Sequence, residues 1–191
     1  ITDNIFYLLI INLMSSTYTL PTSNLNPKEL PHNIEAEQGL LGAILLNNEV
    51  FYDVSEVINI DHFYEAVHKT IFEVIHKLIS KGQIATPITL KSYFEVEKTL
   101  EEIGGSSYLA RLANSAVSLD YAKSYAQIIY DLAVRRGLFE LGGKVQHNAI
   151  ESEMDVKPSD LIEEAEKDLY QISEKGISTH NVQTFKSSVE E

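Results

Sequence analysis

The 191-residue sequence has no cysteine, no tryptophan and only two methionines. The missing thiol excludes disulfides, thiolate catalysis, Cys-ligated zinc and iron–sulfur clusters, and it is compatible with the cytosol. Positive charge is also scarce. Fifteen Lys and Arg stand against 28 Asp and Glu, for a formal net charge of -13. Gripping a phosphate backbone takes clustered Lys and Arg, so this composition argues for a protein that meets other proteins. The apolar run Ile5–Ile11, within ITDNIFYLLIINLM, is too short to span a bilayer and lacks the basic flank and cleavage site of a signal peptide. Neither Gly104–Gly105 nor Gly142–Gly143 belongs to a G-x-x-x-x-G-K-[ST] phosphate loop.

What the sequence does contain is helical spacing. Residues 14–32 read as a polar leader punctuated by Pro21, Pro27 and Pro31, with Met14 as the natural start and residues 1–13 ahead of it. Asn33 can cap a first helix whose inward stripe is Ile34, Leu41, Ile44 and Leu45, with Gly39, Gly42 and Ala43 admitting a close neighbour. A shorter helix is expected over Glu49–Ile58, facing inward with Val50, Val54, Val57 and Ile58. Asp61 can cap the segment that leads to a strong helix over Glu65–Lys81. The apolar set there is Val67, Ile71, Val74, Ile75, Leu78 and Ile79, and Gly82 is the stop. TPITLKSYFEVEKTLEEIGG predicts a further helix, begun by Thr86 or Thr89, facing inward with Leu90 and Phe94 and ended by Gly104–Gly105. SSYLARLANSA predicts a short one.

Residues 119–151 keep helical spacing without proline, through Tyr121, Tyr125, Ile128, Leu132, Leu138, Leu141 and Val145. One helix here would be roughly 45–50 Å long. Gly142–Gly143 inside it suggests close packing or a kink. After a turn, Pro158 or Ser159 opens a returning helix to about Lys175, with Leu161, Ile162, Ala165, Leu169 and Ile172 on one face. The fold class is therefore all-α: a compact multi-helix head followed by a long antiparallel hairpin, whose apolar stripes call for a second copy. In the tail, FKSSVEE can begin another helix.

Four candidate chemistries can be weighed. Glu35 and Glu37 point about 200° apart on one helix, so they cannot flank a common substrate, and they read as solvated first-turn acids favoured by the helix dipole. Glu65-x-x-His68 and Glu73-x-x-His76 match the spacing of di-iron bundles, which supports an alternative reading as a small metal-binding helical-bundle enzyme. Both lie on one helix, however, where such a site draws on several. The glycine pairs offer no nucleotide site. Arg135–Arg136 with Lys123 and Lys144 is a basic cluster on the long helix, read as a solvated or protein-facing surface amid acids.

Five segments in order, PHNIEAEQGLLGAIL, DHFYEAVHKTIFEVI, TPITL, GGSSYLARL and SYAQIIYDLAVRR, resemble the N-terminal region of the bacterial replicative DNA helicases, the DnaB family. The similarity runs from about Pro31 through Lys175. It implies a flexible leader over 1–32, a helical head over 33–117, a hairpin over 118–175 and a linker over 176–191. It implies dimers through the hairpins, a hexamer in the parent protein, docking of the primase C-terminal domain, a helicase loader as a further candidate partner, and a cytoplasmic location. ATP and Mg²⁺ would belong to a RecA-like domain absent from this chain. The expectation for these 191 residues is thus no catalytic, cofactor or metal site, no ATP hydrolysis, no direct DNA site and no membrane. The resemblance and the helical stripes together single out Tyr125, Ile128, Leu132, Arg135, Phe139, Leu161, Ile162 and Leu169 as candidate interface residues.

Overall fold

Local signals set most helix ends. In the computed structural model, which describes residues 30–99, 101–152 and 156–174, the Asn33 Oδ1 accepts the Ala36 N–H at 2.9 Å and opens α1 (Ile34–Leu46). Helix α2 is Glu49–Ser55, shorter than its predicted span, and a 3₁₀ turn follows at Ile60–His62. Asn59, rather than Asp61, caps that turn, its Oδ1 accepting the Asp61 N–H at 2.9 Å. Helix α3 (Ala66–Ser80) stops at Gly82, whose φ of 70° is left-handed. The Gln83 N–H reaches the Leu78 carbonyl at 3.0 Å and the Gly82 N–H reaches Ile79 at 2.9 Å, the paired bonds of a Schellman stop.

Helix α4 (Pro87–Val96) begins with a reciprocal cap: Thr86 Oγ1 accepts the Thr89 N–H and Thr89 Oγ1 accepts the Thr86 N–H. It ends well before Gly104. Lys98 takes a left-handed φ of 58°, and the Thr99 N–H bonds back to Phe94, so the chain turns where periodicity alone continues the helix. Helices α5 (Gly105–Asn114), α6 (Leu119–Glu151) and α7 (Pro158–Glu174) complete the set, and no strand occurs among the described residues. The all-α class stands. No described helix is long and apolar enough to cross a membrane. The leader before Leu30 and the tail helix at FKSSVEE lie outside the described residues.

Helix α1 is the centre of the core. Its residues from Gly39 to Leu45 are all buried, because α3, α5 and α6 pack around it. The close approach expected at Gly42 is present: a Cβ there would run into the Leu112 carbonyl and the backbone of Ala116. A Cβ on Gly39 would press on the Val117 side chain at 2.7 Å. The predicted inward set of α3 is correct from Ile71 to Ile79, with His68 and Phe72 added.

Two stripes are corrected. On α6 the buried residues are Ala122, Ala126, Ile129 and Arg136, one step out of phase with the large apolar residues that sequence spacing favoured. Small residues sit inward there because α6 crosses α1 and α2 closely. On α7, Leu161, Ala165, Asp168 and Ile172 are the half-buried row, whereas Ile162 and Leu169 point outward. Gly142 and Gly143 have no close neighbour, so neither marks tight packing. The close contact is at Gly137, where a Cβ would lie 3.4 Å from Ile172.

Candidate functional site

Helices α6 and α7 run antiparallel. Lys144 Nζ bonds Asp168 Oδ2 at 2.6 Å and Glu164 Oε1 at 2.8 Å, and Asn148 donates to Glu164. Those two carboxylates push the Lys144 ammonium up to about 12. Behind the ionic ties, Leu141, Val145, Ala149, Leu161 and Ala165 line an apolar cavity of about 260 Å³. From Pro158 to Ser173 no residue of α7 is buried, and none of α6 is buried beyond Arg136.

The eight candidate interface residues divide in two. Tyr125 and Leu132 are half-buried, Tyr125 against the core, and Leu161 faces the cavity. Ile128, Phe139, Ile162 and Leu169 are exposed by 40%, 54%, 61% and 50%, and Arg135 is exposed between them on α6. Leu138, Val145 and Ile150 are also exposed, which sequence spacing alone did not separate from inward residues. These side chains form an exposed apolar strip along both helices of the hairpin.

At the base of the hairpin lies a buried polar cluster. Glu37 is only 2% exposed, a correction to its reading as a solvated acid; Glu35 alone fits that description. Glu37 Oε1 accepts the Tyr64 N–H at 2.6 Å. Its Oε2 accepts the Glu65 N–H at 3.3 Å and faces His68 Nδ1 at 2.5 Å. His68 Nε2 lies 2.6 Å from the Tyr108 hydroxyl. Both nitrogens of His68 are thereby engaged, which leaves it no lone pair for a metal. His76 is exposed, and no metal-capable group of three acidic or imidazole residues forms among the described residues.

Arg136 is buried as well. Its Nη1 donates to the Pro31 carbonyl at 2.7 Å and its Nη2 to the His62 carbonyl at 2.6 Å, and its guanidinium carbon lies 5.6 Å from the Tyr64 ring centroid. Burial lowers its proton affinity, while Glu37, Glu140 and Tyr64 act in the opposite sense. The supposed basic cluster is therefore dispersed: Arg136 faces the core, Lys123 pairs with Asp53 at 3.2 Å, and Lys144 ties the hairpin. The phase of α6 carried the signal for Arg136, which stands seven residues after Ile129 on the small-residue stripe. Nothing local distinguished Tyr108 from a surface tyrosine.

Comparison with known proteins agrees with this architecture. Residues 29–131 match the model of the DnaB-like helicase N-terminal domain. The replicative DNA helicase DnaB of Rickettsia conorii is 39% identical over 165 residues, which is 86% of this chain and 33% of that protein. The chain thus spans about a third of the length of the curated relatives it matches. Among solved structures, the N-terminal domain of DnaB helicase from Mycobacterium tuberculosis superposes with a TM-score of 0.69 at 27% identity, over 74% of this chain and 98% of that one. A DnaB-like replicative helicase studied with its interactions with primase gives 0.58 at 26% identity, over 83% of this chain and 35% of that one. On the extent of the family match and the shared helical fold, this chain belongs to the DnaB-like helicase N-terminal domain family.

Proposed function

We propose that this chain is the oligomerisation and primase-docking module of a replicative, ATP-dependent DNA helicase, acting in DNA replication and primosome assembly in the cytoplasm. In this reading residues 1–32 are a leader, 33–117 a head, 118–175 the interaction hairpin and 176–191 a linker. ATP and Mg²⁺ are handled by another domain, and no residue here is catalytic. The observation that carries the reading is the hairpin surface. Ile128, Phe139, Ile162 and Leu169 are exposed on a helix pair in which α7 is at most half-buried over Pro158–Ser173. Such a pair gains little from its own contact and needs a cover. Ile162 and Leu169 on α7 suit a second copy. The strip of Ile128, Arg135 and Phe139 on α6 has the apolar and arginine composition of an interface centre and suits the primase C-terminal domain. A structural relative studied with its interactions with primase supports primase as a partner of this kind of domain. A loader is a further candidate for the same surface.

The test separates the two faces. Ile128→Asp and Arg135→Glu are expected to weaken binding of a primase C-terminal domain in calorimetry while leaving sedimenting mass and helicity intact. Unchanged binding in both variants removes the α6 strip from the docking site.

A further inference from the structure

A run of hydrogen bonds leads from Tyr108 on α5 to the backbone of Tyr64 and Glu65, and Arg136 on α6 rests against the same stretch of chain. The run passes from the Tyr108 hydroxyl to His68, from His68 to Glu37, and from Glu37 to the N–H groups of Tyr64 and Glu65. Arg136 meets that stretch in two ways. The Tyr64 ring carries the guanidinium on one contact and stacks on His32 with centroids 4.2 Å apart, and the His62 carbonyl accepts an Arg136 N–H.

A neutral His68 with its proton on Nδ1 satisfies every contact of the run. Backbone N–H groups only donate, so both Glu37 oxygens must accept. In that arrangement His68 donates from Nδ1 to the carboxylate. Its Nε2 then accepts the Tyr108 hydroxyl proton, and the Tyr108 oxygen is approached by Gln38 Nε2 at 3.4 Å. The hydrogen bond made at one imidazole nitrogen decides which nitrogen carries the proton. The Glu37 carboxylate favours this tautomer, and the Tyr108 hydroxyl completes it by holding the imidazole from the other nitrogen. Without it, Nε2 loses its donor, the imidazole is held from one side only, and the Glu37 grip on the N–H groups of Tyr64 and Glu65 loosens.

Arg136 is the last buried residue of α6 before the hairpin leaves the core. Its guanidinium ties that point of α6 to the Pro31 and His62 carbonyls. Tyr108 is half-buried, with Arg111 over its ring at 5.0 Å, so the far end of the run reaches the surface of α5. We propose that Tyr108, His68 and Glu37 form a latch that seats the 62–65 segment under Arg136, so that events at the α5 surface alter the seat of the hairpin and its binding. Tyr108 acts in this as a positioning residue. The consequence for binding rests on the proposed role of the hairpin; the latch itself does not.

Amide exchange followed by NMR on the whole chain tests it, with Tyr108→Phe, Arg136→Lys and the double variant. Tyr108→Phe removes one oxygen, remote from the hairpin, and Arg136→Lys keeps the charge but loses the planar fork that reaches the Pro31 and His62 carbonyls from two nitrogens. The expected result for Tyr108→Phe is exchange about tenfold faster at Tyr64, Glu65 and the α6 amides around Arg136, with helicity unchanged. In the double variant the effects combine less than additively, as for residues in one network. Self-association by sedimentation should weaken by about threefold or more. Exchange changes confined to α3 and α5, or additive effects, overturn the latch. If Tyr108→Phe fails to fold, Arg136→Lys decides by the reciprocal route: faster exchange at Glu65 and His68 supports the latch, and unchanged exchange there overturns it. A parent chain that stays monomeric would instead count against the proposed role of the hairpin, while the exchange data still decide the latch.

Discussion

Nδ1 of His68 sits 2.5 Å from Oε2 of Glu37, and neither side chain is more than 2% exposed. Removing Glu37 leaves the His68 Nδ1 and the N–H groups of Tyr64 and Glu65 without their acceptor. Glu37→Ala is expected to destabilise the fold by about 3–5 kcal/mol in urea unfolding. Glu35→Ala, two residues away and exposed, should change stability by less than about 1 kcal/mol, the worth of a first-turn acid at a helix dipole. Equal effects from the two substitutions would mean that the Glu37 pair contributes nothing beyond its helix position.

Two glycines give opposite expectations for the same substitution. Gly42→Ala drives a methyl into the Leu112 carbonyl and the Ala116 backbone, where nothing flexible can yield. It should destabilise by about 1–3 kcal/mol or more. Gly142→Ala points into open space inside α6 and should stabilise by roughly 0.5–1 kcal/mol, through backbone entropy alone. Thermal unfolding of both variants, side by side, checks the sign of each.

Lys144 predicts an alkaline response. Folding raises its proton affinity from 10.5 to about 12 through Asp168 and Glu164. A raised value means that the stabilisation is complete below about pH 10.5 and disappears as pH rises through about 12. The parent chain should therefore lose stability across that window by a step that Lys144→Met lacks. Urea unfolding of both at a series of pH values isolates this group from the tyrosines that ionise nearby. The step should shrink in high salt, because the three groups lie near the surface.

Self-association should depend on the outward face of α7. Ile162→Asp and Leu169→Asp each place a charge where the proposed contact would strip it of water without a partner. Both variants should remain helical and sediment at lower mass than the parent. If both keep the parent's mass, the second copy does not sit on this face.

The helices themselves were legible because their signals are local. Asn33 captures an N–H three residues on, Thr86 and Thr89 close a reciprocal cap, and Gly82 supplies a left-handed stop. Each of those bonds spans at most five residues, so spacing and residue type suffice to predict it. The early end of α4 escaped that reading because a lysine, Lys98, takes the left-handed position a glycine normally marks.

The family resemblance also lay within the sequence, in the order of five segments. What only the tertiary structure decided is which polar residues are core. Glu37 obeys the local rule for a first-turn acid, and nothing near it in sequence says otherwise. His68 is 31 residues away, and Tyr108 a further 40 beyond His68. Likewise Arg136 looks like half of a basic pair until α6 is laid against α1 and its phase fixed by Ala122, Ala126 and Ile129. A helix dictates its own hydrogen bonds, but burial of a side chain is settled by which other helix crosses over it, and that choice is made by packing across the whole chain.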